Sequence, residues 1–180
     1  MTKKRIAPFI PPLSAPKKHF KVKGAGFILL LSLVILQTTS LNRLSILGIK
    51  PYLLLILVIF IGLYKGPIPG AWYGLLAGIL LDLFSPIPLG TNALSKTVLG
   101  FLAGVAAPLL YFEAPLTQGL LLFLGMLLEG MILFILLASF HLAPPLRYSL
   151  LYIILPAALY TFLLTPFLFY AFKKVSNRVF

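Results

Sequence analysis

Apolar residues fill most of this chain in long blocks, broken by short proline- and glycine-bearing steps and not by polar stretches. Each block approaches the roughly 20 residues a helix needs to cross a hydrocarbon core of about 30 Å. Six helices follow, at about 24–41, 46–64, 69–84, 89–112, 115–140 and 148–172, the second interrupted near its start by Lys50-Pro51. Turn signals separate the later ones: Lys65-Gly-Pro-Ile-Pro, Ser85-Pro-Ile-Pro-Leu-Gly and Ala143-Pro-Pro. The connections are too short to hold a soluble domain. The pattern predicts an all-α, polytopic membrane protein with six transmembrane helices. Its parts are a basic, proline-rich tail over 1–23, a membrane domain over 24–172 and a basic C-terminal segment over 173–180.

Composition agrees and sharpens the exclusions. The 180 residues are 61% hydrophobic and 10% charged, whereas a soluble domain carries about a quarter charged residues. A net charge of +12 would ordinarily raise nucleic acid as a partner. Here seven basic residues (Lys3, Lys4, Arg5, Lys17, Lys18, Lys21, Lys23) fall in the first 23 positions and Lys173, Lys174 and Arg178 in the last eight. They are tails on a hydrophobic body, so no nucleic acid is expected. Prolines at 8, 11, 12 and 16 deny the N-terminal tail a regular helix. The apolar block after it lacks a small-residue cleavage site, so the tail is expected to stay attached.

An even number of spans puts both ends on one side, and positive charge chooses the side. With the ends inside, Lys65 and both tails give eleven basic residues within, against Arg43, Lys50 and Arg147 outside. That bias predicts cytoplasmic termini. The same tails would meet anionic headgroups of the bilayer. The chain has no cysteine, which removes disulfides and thiolate chemistry.

The informative positions are the ionisable groups inside predicted spans, since each is costly there and is a functional candidate by default. They are Asp82, Lys96 and Glu129. Asp82 ends a row at four-residue spacing with Gly70, Gly74 and Gly78, so all four lie along one face of the third helix. The fourth helix answers with Asn92, Lys96, Gly100 and Gly104 at the same spacing. The turn between them ends in Gly90, and the two helices are antiparallel neighbours whose small residues permit close approach. Asp82 and Lys96 lie at similar depth, which suggests an ion pair or hydrogen-bonded network near the outer face. The glycines read equally as plain packing, with the polar pair as structural glue.

Glu129 sits near the middle of the fifth helix, on a stripe with Gln118 and Gly125. A carboxyl at that depth must be protonated, paired or facing water. It reads as a partner contact, an ion or ligand site, or a hydrogen bond to a neighbouring helix. No catalytic constellation, metal-ligand cluster, phosphate-binding loop or cofactor motif emerges: His19 lies in the tail and His141 at the end of the fifth helix. No enzyme and no cofactor are expected.

One stretch is specific enough to carry a resemblance. It reads Ile49-Lys-Pro-Tyr-Leu-Leu-Leu-Ile-Leu in the second helix, then Gly70-Ala-Trp-Tyr-Gly-Leu-Leu-Ala-Gly-Ile-Leu-Leu-Asp82-Leu-Phe-Ser-Pro-Ile-Pro-Leu-Gly90-Thr-Asn92-Ala-Leu, then Gly100-Phe-Leu-Ala-Gly104. A proline-led second span, G-x-x-x-G with a Leu-Asp pair, a short turn, Leu-Gly with a small polar step and a glycine-bearing fourth span resemble the bacterial rod shape-determining MreD family over about residues 48–104. An acidic residue in the fifth span, here Glu129, is in keeping. The resemblance implies a non-enzymatic inner-membrane component of the cell-elongation machinery. It would bind MreC directly and, through the complex, MreB, RodA and a penicillin-binding protein in peptidoglycan synthesis. It also implies a fold similar to the six-helix substrate-binding components of energy-coupling-factor transporters. That similarity supplies the alternative, a membrane-embedded small-molecule binder in which Lys96, Glu129 and Gln118 converge on a cavity. Homo-oligomerisation is left open by the residues.

Overall fold

The computed structural model describes residues 24–40, 52–109 and 115–179. The N-terminal tail with His19, the positions Arg43, Lys50 and Pro51, and the aromatic pair Tyr111 and Phe112 lie outside them. All regular structure among the described residues is helical. We number the helices α1 (Gly24–Ile35, ending in a π-helical turn Leu36–Ser40), α2 (Leu53–Lys65), α3 (Pro67–Leu83), α4 (Thr91–Ala106, ending in a 3-10 turn Ala107–Leu109), α5 (Pro115–Ser139) and α6. The last is one continuous rod over 146–179: Leu146–Tyr148, a π-helical turn Ser149–Ile154, and Leu155–Val179.

The bundle is organised around α2. This helix is apolar all round, and every residue from Leu53 to Leu63 is buried, as expected of a helix with no face for solvent or lipid. It packs against every other helix, α1 and α3 to α6. Its first turn is capped from α1, where Gln37 Oε1 accepts the Leu54 N–H at 3.1 Å. Its C-terminal half packs on α6 through Phe60, whose ring centroid lies 5.4 Å from Phe169 and 5.9 Å from Phe172.

A single residue, Gly66, joins α2 to α3. It sits at φ +101°, a region that side chains disfavour, and donates its N–H to the Gly62 carbonyl at 2.9 Å. Pro67 then opens α3, where its missing N–H is no loss. No atom lies within 4 Å of where a Cβ on Gly66 would go. Gly66→Ala therefore tests backbone strain without steric clash, and we expect it to cost roughly 1–3 kcal/mol. Thermal unfolding in detergent should show that loss.

Among the described residues three helices are long and apolar enough to cross a membrane: Thr91–Leu109, Leu116–Ser139 and Leu146–Phe172. The six predicted spans thus become six helices, of which Ile28–Thr38, Leu53–Lys65 and Pro67–Leu83 are shorter apolar segments. The expected start of the second span, 46–51, lies outside the described residues. The Gly66-Pro67 break then limits α2 to 13 residues, about 20 Å of rise.

At the other end of the chain the helix continues through the expected basic tail to Val179. Nothing there breaks it, and basic residues suit a helix C-terminus. The π-helical turn in α6 sits just before Pro156, which has no N–H to give to the preceding turn.

Candidate functional site

The glycine rows of α3 and α4 meet face to face. A Cβ on Gly74 would strike the Lys96 carbonyl, one on Gly78 the Ala93 backbone, and one on Gly104 the backbone of Pro67. Gly70 and Gly100 lie on each other's carbonyls, and Gly62 of α2 meets the same Gly100 carbonyl. Three helices therefore cross at Gly62, Gly70 and Gly100, separated by backbone alone. Gly62 was not among the positions marked by spacing, because its α2 neighbours are uniformly large and apolar. The rows themselves are consumed inside the bundle.

At one end of this interface Asp82 takes over the start of α4. A helix leaves its first N–H groups without partners, and α4 opens with Gly90, at φ +97°, which has no side chain to cap them. The buried Asp82 carboxylate supplies the cap from α3. Its Oδ2 accepts the N–H groups of Gly90 (2.9 Å) and Ala93 (3.1 Å). Its Oδ1 accepts the Asn92 N–H (3.1 Å) and the Asn92 Nδ2 (2.8 Å). The Thr91 hydroxyl donates to the Pro88 carbonyl at 2.9 Å and lies 3.4 Å from Oδ1. Asp82 sits in the last turn of its own helix, where a negative charge is disfavoured, and the positive end of α4 compensates for it.

Asn92 carries the network onward. With its amide nitrogen on Asp82, its Oδ1 accepts from Lys96 Nζ at 3.0 Å. Lys96 lies one turn along α4 and is fully buried; its Nζ reaches across to Glu129 Oε1 of α5 at 2.5 Å. The expected Asp82–Lys96 pair is thus corrected in part. The network exists, but Asn92 stands between the two, because the Asp82 oxygens are filled by the α4 N-terminus and Lys96 projects toward α5.

The order is carboxylate, amide, ammonium, carboxylate. One cation and one helix N-terminus offset two anions inside the bundle, as buried charge requires. Gln118 is buried on the same helix as Glu129 but eleven positions away, about 16 Å along the axis. The expected convergence of Lys96, Glu129 and Gln118 on one cavity therefore fails for Gln118. Among the described residues no three His, Cys, Asp or Glu side chains gather as metal ligands. His141, at φ +56° in the turn after α5, stands apart from this network.

Asp82→Ala removes the acceptor of four N–H hydrogen bonds at once, and we expect a loss of roughly 1–3 kcal/mol. Faster hydrogen exchange at Gly90–Ala93 in the variant would report the uncapped turn. Unchanged exchange there, with unchanged membrane abundance, would contradict the capping role.

This arrangement, a glycine-packed α3–α4 hairpin closed by the Asp82 cap, is the part of the chain the sequence singled out. A family model described as rod shape-determining protein MreD matches residues 20–178. The chain belongs to the MreD family. The match runs well past the 48–104 stretch and takes in α5 and α6, so Glu129 falls within the family region as well. MreD membership makes this a cell-shape protein, and its apolar helices make it a membrane protein. The MreD family is a shape-determining one and not a known enzyme family. No curated protein and no solved structure matches the chain.

Proposed function

We propose that the protein is a non-enzymatic membrane scaffold of the bacterial elongation complex. In this reading it binds MreC in the inner membrane and helps couple MreB, RodA and a penicillin-binding protein to peptidoglycan synthesis. One observation carries the scaffold reading: the ionisable groups buried in the described helices engage one another. Asp82, Lys96 and Glu129 are bound within one network, so the bundle presents apolar surface outward. Trp72, Phe101, Leu120 and Leu163 are among the large side chains it exposes, positions suited to lipid or to a partner helix.

The helix directions support six crossings with both ends cytoplasmic. Gln37 meets the head of α2, Gly66 turns the chain back, and Asp82 meets the head of α4. Helices α1 to α4 therefore alternate in direction. The eleven-to-three distribution of basic residues then favours the side with Lys65 as the inside. The alternative of a small-molecule binder related to energy-coupling-factor transporters gains less. The cavity beside Glu129 offers about 20 Å³ to the centre of a water molecule, which suits one water and no metabolite.

Photo-crosslinking residues at Trp72, Phe101, Leu120 and Leu163 test the scaffold directly. At least one position should trap MreC in cells. Silence at every position, together with absence of MreC from the purified membrane complex, would defeat the proposal.

A further inference from the structure

The Lys96–Glu129 bond uses one oxygen of the carboxylate. The other, Oε2, is buried and has no hydrogen-bond partner among the described residues. Glu129 is 1% exposed, and an ionised carboxylate offers about four acceptor sites, so one bond leaves it far from satisfied.

Glu129 also lines a small cavity with Tyr52, Met126, Leu133, Ile154 and Ala157. The cavity lies where the head of α2, the middle of α5 and α6 come together. The π-helical turn widens α6 at this point, and the consecutive residues Ile153 and Ile154 both reach the lining. About 20 Å³ of it is open to the centre of a water molecule, enough for one water, which also needs at least two polar partners. Tyr52 is the other lining residue with a polar side chain. A lipid tail fits neither the volume nor the chemistry, since it brings no donor to the carboxylate.

We propose that this cavity binds a single internal water that donates to Glu129 Oε2, with Tyr52 as its second polar wall. The water completes the coordination of the carboxylate beside Lys96. The site is independent of any partner.

The chain has two glutamates, Glu113 and Glu129, so ¹³C-glutamate labelling of the full-length protein in bilayers gives two side-chain carboxyl signals, assigned with Glu113→Gln. Water-edited solid-state NMR then reads which carboxyl carbon receives magnetisation from water. We expect early transfer to Glu129 in the wild type. Ala157→Leu, which fills the cavity, should abolish it, although the exchangeable Lys96 ammonium is still in place; Leu133→Phe fills the same space from α5 if the first variant does not insert. A Glu129 carboxyl that receives nothing from water in the wild type overturns the proposal. So does transfer that persists undiminished in an inserted, cavity-filled variant, because the water would then arrive by another route.

Discussion

Gly74→Leu or Gly78→Leu should abolish stable insertion of this protein. A Cβ at either position already falls on backbone of the facing helix, the Lys96 carbonyl or the Ala93 Cα. Backbone cannot rotate away as a side-chain tip can, so α3 and α4 must separate. Overpacking a core ordinarily costs about 1–3 kcal/mol, with larger values where no rearrangement accommodates the atoms. In a bilayer the separated helices lack a hydrophobic force to re-close them, since lipid tails are as apolar as the helix faces they replace.

Separation would also pull Asp82 off the head of α4, so two stabilising elements would fail together. Membrane abundance and heat-induced aggregation in mild detergent read this directly. Gly125→Leu makes a useful contrast. Its nearest neighbour is the Ile59 side-chain tip, which can move, and a smaller loss is expected there. Equal tolerance of Leu at Gly74 and Gly125 would mean that the close crossing of α3 and α4 is not what holds the hairpin.

This glycine interface was legible in the sequence because four-residue spacing on two adjoining helices leaves few other arrangements. Asp82 and Asn92 were legible for the same reason: one closes the first row and the other opens the second, on either side of a short turn. Capping of α4 by Asp82 was less so, since a carboxylate in the last turn of one helix gives no sign that the next helix begins with an uncapped glycine. Lys96 and Glu129 illustrate the general limit. Each was conspicuous alone as a charge in an apolar helix, but 33 residues separate them and no periodicity links α4 to α5. Their pairing depends on how the helices pack. The centrality of α2 was hidden for a related reason: its uniform apolarity is what a lipid-exposed span would also show. Its burial is visible only once every other helix is seen against it.

Lys96→Met should be the most damaging change within the polar network, and the double variant Lys96→Met/Glu129→Leu should recover much of the loss. Lys96 and Glu129 are both fully buried and directly bonded. Removing the ammonium alone leaves the Glu129 carboxylate without its cation, and breaking one side of a buried ion pair costs about 3–5 kcal/mol.

Replacing both partners by apolar side chains removes the buried charge altogether and is often near neutral. Asn92 would still lose its Lys96 donor in the double variant, so recovery should fall short of complete. A thermal-stability cycle over the wild type, both single variants and the double reads the coupling, and crosslinking to MreC in the stable double variant separates packing from partner contact. Near-zero coupling would mean that the two groups do not stabilise one another in the folded protein. Strong coupling with partner capture intact in the double variant would assign the charge pair to holding α4 against α5, and would leave recognition to the apolar outer surface.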